Sequence, residues 1–267
     1  MRIQPSYLRL YTDAGVELTD SNYRHTELDW EMPSREAALV CLDCWNWHFS
    51  RETLERIGDC TRRAIVPLLA AARAAGMNVI HAPADPVAQR HPNWARLLPE
   101  DATPQPPWPD SPAWPPDDFR KKVGEYARYA RPFEPQRAER EDHRRSRRTF
   151  HEHVRPEGDE AVVLSGEELH RLCAARGILH LFYVGFNTNA CVMMRDYGLP
   201  AMSRRGYHVI LVRDATTGME TSDTIEEMIC TRGAIADIEQ FIGYTVASTQ
   251  LVAALDEERD RQAGSDG

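Results

Sequence analysis

Short apolar runs alternate with helical patterns along most of this chain, beginning at Ala37. The predicted strands are residues 37–43, 77–82, 161–164, 179–184, 207–212 and 244–248. The predicted helices are residues 65–76, 167–176 and 190–205, a helix capped by Ser222 that runs to about Gln240, and a C-terminal helix. Strands that alternate with helices are typical of a parallel sheet covered on both faces. The pattern therefore predicts an α/β fold with a doubly wound, Rossmann-like, mostly parallel sheet.

Several segments stand apart from this alternation. Residues 1–36 are polar with scattered aromatic residues, which indicates an N-terminal arm that packs on a neighbour or over the sheet. Residues 84–158 form a long insertion that is rich in proline and tryptophan and then charged, and such connections usually serve function or interaction. The expected organisation is thus an arm, a domain over residues 37–255 that carries this insertion, and a charged, frayed tail over residues 256–267.

Composition narrows the class of protein. The formal net charge of −9 and the pI of about 5.6 give no global attraction for nucleic acid or an anionic membrane. No apolar run approaches the ~20 residues that a membrane span needs, and the polar start is unlike a signal peptide. The six cysteines do not suggest a disulfide framework, and several lie in apolar runs, as reduced thiols do. We therefore expect a cytoplasmic protein without nucleic-acid or membrane partners.

Cys191 carries the strongest chemical signal. It follows an apolar run that ends at Gly185 and a short polar turn, and it lies just inside a predicted helix with Asn189 as a candidate N-cap. Unpaired N–H groups and the helix dipole favour thiolate over thiol at such a position, and the thiolate is the nucleophile. The alternative is that Cys191 is a buried small hydrophobic residue, as most free cysteines are.

Four segments in order resemble the isochorismatase-like cysteine hydrolases. They are Ala38-Leu-Val-Cys-Leu-Asp43-Cys-Trp-Asn46, Ala72-Arg-Ala-Ala-Gly76-Met-Asn-Val-Ile, Gly185-Phe-Asn-Thr-Asn-Ala-Cys191-Val, and Arg205-Gly206-Tyr-His-Val-Ile-Leu-Val-Arg-Asp214-Ala. Their order and spacing match the family from about Ala37 to about Ser248, apart from the insertion. The resemblance implies a doubly wound sheet with an active site at the carboxyl ends of its strands.

The resemblance also implies a triad of cysteine, aspartate and lysine, in which Cys191 matches the nucleophile and Asp43 the aspartate. A carboxylate beside a thiol can take its proton and return it to a leaving amine. The alternative for Asp43 is a capping or turn aspartate after a strand. The family's turn also has a cis peptide, here between Phe186 and Asn187, which would direct the Asn187 and Cys191 amides at one point as an oxyanion hole.

The triad lysine is missing from this sequence. In the family it ends the strand that here reads Ala161-Val-Val-Leu164-Ser165-Gly166, and the chain has only Lys121 and Lys122, both in the insertion. Arginine stays charged and cannot shuttle protons, although it could stabilise a thiolate or oxyanion. His48 and His81 are the candidate charge or proton partners by their strand-end positions, with the insertion's arginines behind them. For each histidine, a structural role is the alternative.

Two other kinds of site are less well supported by the residues. Cys41 and Cys44 have the spacing of a redox or zinc pair, but strand alternation would send them to opposite faces and no second pair exists. Some family members, the nicotinamidases, bind zinc through an Asp-x-His pair. Here Asp85, His81 and His91 lack that spacing. We expect neither a metal nor a cofactor.

The leading interpretation is a cysteine hydrolase that attacks an amide or ureido C–N bond of a small molecule through Cys191, with Asp43 as the base. The alternative is a non-catalytic family member that binds a small molecule or serves assembly. A redox role for Cys191 with Cys44 as the resolving thiol is a third possibility. Trp30, Trp94, Trp108 and Trp114 would expose more aromatic surface than a monomer usually does, so we expect a homo-oligomer, as the resemblance also implies.

Overall fold

The computed structural model describes residues 1–97 and 114–265. The chain divides into two compact units, one formed by Met1–Leu97 with Arg148–Gly267 and the other by Leu98–Arg147. In the second unit, helices α3 (Asp117–Lys121) and α4 (Arg137–Ser146) lie among the described residues. Of the candidate functional residues discussed below, Lys121 and Lys122 belong to the second unit and the others to the first.

An eight-stranded sheet forms the centre of the first unit. The strands are β1 (Arg2–Ile3), β2 (Ser6–Arg9), β3 (Arg24–Glu27), β4 (Trp30–Glu31), β5 (Ala37–Leu42), β6 (Asn78–Ala82), β7 (Ala161–Val162), β8 (His180–Phe186), β9 (His208–Thr217) and β10 (Tyr244–Val246). The order in the large sheet is β3-β2-β10-β9-β8-β5-β6-β7, and the six strands from β10 to β7 run parallel. The predicted α/β fold with a mostly parallel sheet is confirmed.

Helices cover both faces of this sheet. They are α1 (Arg51–Cys60), α2 (Val66–Ala74), α5 (Gly166–Arg176), α6 (Cys191–Met194), α7 (Leu199–Arg204), α8 (Ile229–Asp237) and α9 (Ser248–Ser265), with π-helical turns at Thr61–Ile65 and Ile238–Ile242. The helix predicted over residues 190–205 is broken near Gly198 into α6 and α7. A Cβ on Gly198 would lie 2.5 Å from the Val192 carbonyl oxygen, so the chain can pass this close only with glycine.

Alternation along β5 sends its side chains into two different cores. Ala37, Leu39 and Cys41 join a cluster with α1, α2 and α9, whereas Ala38, Val40 and Leu42 join a cluster with α5 and α7. Cys44 lies in the same cluster as Cys41, so the expectation that these two side chains face opposite sides is wrong. The reason is the positive φ of 49° at the intervening Asp43, which ends the alternation.

The N-terminal residues extend the sheet. β2 pairs antiparallel with β10 and with β3, and β1 pairs with β4 in a separate two-stranded sheet. The predicted arm is therefore partly an edge of the central sheet. The backbone N–H and C=O groups of β2 pair with those of the neighbouring strands. In a polar segment that only lay over the sheet, these groups would be hydrogen-bonded to water instead.

Three helix boundaries differ from the sequence-based expectation. Residues 51–60 form α1, which was not predicted, and the residues predicted to be a frayed tail are helical as far as Ser265. Ser222 does not cap a helix, because residues 222–228 form turns and α8 begins at Ile229. The Glu220 carboxylate caps α8 instead, accepting hydrogen bonds from the N–H groups of Cys230 and Thr231 at 3.0 and 2.9 Å.

The tryptophans named for oligomerisation have different surroundings. Trp30 stacks on His208, with 4.8 Å between ring centroids, and Trp94 donates to Glu168 at 3.1 Å. Trp114 is 75% exposed, and Trp108 lies outside the described residues. The homo-oligomer therefore stays a prediction. Within residues 1–97 and 114–265, no helix is long and apolar enough to cross a membrane.

Gly185 sets the distance between β8 and β5. It lies opposite Leu42 in the ladder with φ of 124°, and a Cβ there would lie 1.8 Å from the Leu42 carbonyl oxygen. Gly185→Ala is expected to destabilise the protein by about 3 kcal/mol or more, since both the backbone conformation and the space exclude a side chain. Chemical denaturation measures this change.

The matched control is Gly233→Ala, the same substitution within α8. Nothing lies within 4 Å of a Cβ at Gly233, and helical alanine is favoured over glycine by about 0.5–1 kcal/mol. This variant is expected to be as stable as the parent or slightly more stable. Equal stability of the two variants would contradict the close approach of β5 and β8.

Candidate active site

Asp43 and Cys191 meet at the carboxyl edge of the sheet. Asp43 immediately follows β5, and Cys191 begins α6 after the turn that leaves β8. Because β5 and β8 are parallel neighbours, their carboxyl ends lie side by side. The two groups are close enough to interact electrostatically, and the charge of Asp43 raises the pKa of the Cys191 thiol.

The backbone at Asp43 turns its side chain into a buried position. Aspartate is one of the residues that tolerate a positive φ, and the Asp43 N–H still donates to the Ala82 carbonyl at 3.0 Å. The carboxylate itself has no exposed surface. The Nε and Nη2 atoms of Arg195 both lie 3.0 Å from its Oδ2, and the Tyr197 hydroxyl donates to Oδ1 at 3.3 Å.

Burial raises the pKa of the Asp43 carboxyl above its usual value. The positive charge of Arg195 acts against this rise, and so do the hydrogen bonds from Cys191 and Arg195 and, to a smaller degree, the charge of Arg148. Arg148 comes from the segment predicted as the insertion, and its guanidinium lies 3.6 Å from the centre of the Trp45 ring. Asp43 is therefore a desolvated carboxylate balanced by guanidinium groups, which is a suitable environment for a general base.

Cys191 is not a free thiolate in this structure. Burial, and then the negative charge of Asp43, raise the pKa of its thiol to about 12, although Arg195 and the Asn187 backbone act in the opposite direction. The expectation that its place at the helix terminus gives this thiol a lowered pKa is wrong, because burial and the charge of Asp43 raise it. Nor does Asn189 cap α6, because the Asn189 side chain instead binds the backbone of Met219 through 2.9 Å hydrogen bonds.

The turn before Cys191 has the geometry that the family resemblance implied. The peptide between Phe186 and Asn187 is cis. The N–H groups of Ala190 and Val192 donate to the Asn187 carbonyl at 3.0 and 3.2 Å. The amides of Asn187 and Cys191 stay the candidate oxyanion donors, and the Asn187 backbone acts to lower the pKa of the Cys191 thiol.

His81 faces the opposite side of the sheet from Arg195. Its Nε2 atom lies 2.9 Å from Oε2 of Glu160, which also accepts from Arg73 of α2. Arg195 lies in the connection between α6 and α7, on the other face. His81 is thus part of an ion-pair network on the α2 side of the sheet. The hypothesis that it is the charge partner of Asp43 required the two side chains to meet, and they do not.

The remaining candidates also have other partners. His48 accepts a hydrogen bond from the Ser50 N–H at 3.0 Å and stacks on Phe49, just before α1. Lys121 pairs with Asp117 at 2.5 Å, and Lys122 donates to the Phe119 carbonyl at 2.8 Å. These contacts give each of the three a structural role.

Neither a metal set nor a resolving thiol is brought to Cys191. Among the residues that the structure describes, no group of three or more His, Cys, Asp or Glu side chains could hold a metal ion. Cys44, the candidate resolving thiol, lies in the core on the α1 and α2 face, whereas Cys191 packs against the other core.

Arg195 is the residue that the sequence analysis missed. It follows Cys191 by four residues, and its N–H donates to the Cys191 carbonyl at 3.0 Å, which completes one helical turn. Side chains with this spacing lie on the same face of a helix. The four-residue spacing in Cys191-Val-Met-Met-Arg195 therefore predicts that the two side chains are neighbours, whereas the search for a cation considered strand ends and the insertion.

The chain belongs to the isochorismatase family. The family model, described as the isochorismatase domain, matches residues 37–238, which is most of the chain. The first unit of the structure contains the Asp43 and Cys191 site within this match. No curated protein matches the sequence.

Solved structures show the same fold at low sequence identity. A cysteine hydrolase from Pseudomonas syringae pv. phaseolicola 1448A is 17% identical with a TM-score of 0.57, and the match covers 86% of this chain and 96% of that chain. A putative hydrolase of the isochorismatase family from Chromobacterium violaceum ATCC 12472 is 19% identical with a TM-score of 0.50, and the match covers 85% of this chain and 97% of that chain.

The Glu160 network gives a prediction about pH. Partial burial favours the neutral acid, but hydrogen bonds from Arg73 and His81 outweigh it and lower the pKa of the Glu160 carboxyl to about 2. A carboxyl whose pKa is lowered on folding stabilises the fold at pH values above its unfolded-state pKa of about 4.3. That stabilisation is lost as the pH falls towards 2. Glu160→Gln is expected to lose about 1–2 kcal/mol of stability at pH 7.

The difference between the parent protein and Glu160→Gln should shrink below about pH 4, because Glu160 then takes up a proton in the unfolded parent while the folded parent keeps it ionised down to about pH 2. Denaturation series at pH 7, 5 and 3 measure it. Glu157→Gln is the control, since Glu157 pairs with the same arginine but is 67% exposed. A constant difference across the three pH values would contradict the assigned role.

Proposed function

We propose that this protein is a cysteine hydrolase that cleaves an amide or ureido C–N bond of a small molecule, with Cys191 as the nucleophile and Asp43 as the base. One observation carries the proposal: a fully buried carboxylate lies beside a thiol where two central parallel strands end, and its negative charge raises the pKa of that thiol. Support also comes from membership of the isochorismatase family and from the fold shared with a protein described as a cysteine hydrolase.

The high pKa of the Cys191 thiol fits a nucleophile that loses its proton as it attacks. Asp43 accepts the proton while sulfur bonds to the substrate carbonyl carbon, so no free thiolate needs to accumulate beside a carboxylate. The developing oxyanion would be bound by the amides of Asn187 and Cys191. Asp43 then gives the proton to the leaving nitrogen, and the acyl thioester remains on Cys191.

Water completes the reaction. Asp43, again a carboxylate, takes a proton from a water molecule that attacks the thioester, and the sulfur leaves and recovers that proton from Asp43. Each turnover consumes one water and releases the acid and the amine. The proposal needs neither a metal nor a cofactor.

A panel of small amides and ureides, assayed by release of ammonia or amine, tests the proposal. Cys191→Ala and Asp43→Asn are each expected to lower kcat/KM for an accepted substrate by roughly three orders of magnitude or more, since nucleophile and base act as a unit. Cys230→Ala makes the same substitution at the other half-buried cysteine and should leave the activity unchanged.

The same panel distinguishes the proposed hydrolase from a non-catalytic family member. A protein that binds members of the panel but turns none of them over would support the non-catalytic interpretation. Turnover that survives Cys191→Ala would contradict the role of Cys191.

A further inference from the structure

We propose that Arg195 replaces the triad lysine, as a fixed positive charge supplied from the residue that ends the nucleophile's helix rather than from a strand end. The inference rests on the proposed function, because it assigns a positioning residue to that reaction. Arg195 contacts Asp43 through both Nε and Nη2 at 3.0 Å, and its charge acts on the Cys191 thiol as well.

The strand end where the family has its lysine has a structural task in this chain. Ser165 caps α5 by accepting a hydrogen bond from the Glu168 N–H at 3.2 Å, and the Leu164 N–H donates to the Glu168 carboxylate at 2.6 Å. Gly166 is packed against the neighbouring backbone, since a Cβ there would lie 2.0 Å from the Asp196 carbonyl oxygen. These contacts cap α5 and pack its first residue against Asp196, the residue that follows Arg195.

The backbone around Arg195 holds it in place. Its N–H donates to the Cys191 carbonyl at 3.0 Å, and its carbonyl accepts from the Gly198 N–H at 2.9 Å. The chain leaves α6 at Arg195 with an extended conformation, φ −68° and ψ 149°. Arg195 and Tyr197 then both reach Asp43, one on each carboxylate oxygen.

Charge balance explains why a cation is needed there. Before attack the site contains the Asp43 carboxylate and the Arg195 guanidinium that contacts it, and the charge of Arg148 acts on Asp43 to a smaller degree. When the thiol proton moves to Asp43 and sulfur bonds to carbon, the negative charge passes to the oxyanion, and Arg195 still balances it. Collapse of the oxyanion restores the carboxylate as Asp43 protonates the leaving nitrogen. An arginine is never deprotonated, so every proton transfer in the cycle passes through Asp43.

Without Arg195 the same steps would leave an unbalanced negative charge in a desolvated site. The pKa of Asp43 and that of Cys191 would both rise, because an opposite charge favours the ionised form. A smaller fraction of Asp43 would then be ionised, so the thiol would less often have a base.

The test measures alkylation of Cys191 by iodoacetamide, followed by mass spectrometry from pH 6 to pH 10, and needs no substrate. Arg195→Gln is expected to slow alkylation at pH 7 by about tenfold or more and to move the pH profile to higher pH, since each pKa unit is tenfold in ionised fraction. Arg195→Lys keeps the charge and should stay within about threefold of the parent protein.

Arg171→Gln is the control, because Arg171 pairs with Glu167 on the surface of α5 at 3.0 Å. It should leave the profile of Cys191 unchanged. An unchanged profile in folded Arg195→Gln would overturn the proposal. So would an Arg195→Lys profile shifted as far as that of Arg195→Gln, because charge alone would then not explain the effect.

Arg195→Gln could fail to fold, since it leaves a buried carboxylate unpaired. In that case the double variant Asp43→Asn with Arg195→Gln is expected to fold, because the charge that Arg195 balances is gone. A double variant no more stable than Arg195→Gln would contradict the proposal. Failure to find a substrate would contradict the proposed hydrolase function. The alkylation and stability results would still test the role of Arg195, because they need no substrate.

Discussion

The site depends on one interaction, the ion pair between Asp43 and Arg195. A carboxylate with no exposed surface is costly unless it is paired and hydrogen-bonded, and here two guanidinium nitrogens and a tyrosine hydroxyl meet it. The same carboxylate interacts electrostatically with the Cys191 thiol and raises its pKa. The same pair makes the buried charge tolerable and, in the proposed reaction, leaves Asp43 available as the base.

The fold brings these groups together through the packing of central strands. β5 and β8 approach closely because Gly185 has no side chain to meet Leu42, and their carboxyl ends deliver Asp43 and Cys191 to one edge. The break between α6 and α7 then allows Arg195 and Tyr197 to turn back onto the carboxylate. A protein in the isochorismatase family therefore keeps a triad-like charge arrangement although its sequence lacks the triad lysine.

The sequence predicted the parallel sheet and the juxtaposition of Asp43 and Cys191, because both follow from local patterns and strand polarity. It did not predict which cation meets Asp43. His81 ends a neighbouring strand, but its side chain faces Arg73 and Glu160, and that choice of face depends on tertiary packing. Glu220 displaces Ser222 as a helix cap for a similar reason, since its partners lie ten residues or more away in sequence.

The central claim is that Asp43 is ionised in the resting site because Arg195 balances it. Carbon-13 NMR of the Asp43 carboxyl, in protein labelled at aspartate and assigned with Asp43→Asn, tests this directly. The account predicts the chemical shift of a carboxylate at pH 7 in the parent protein and in Arg195→Lys, and a change towards that of the protonated acid in Arg195→Gln. A protonated Asp43 at pH 7 in the parent protein would contradict it.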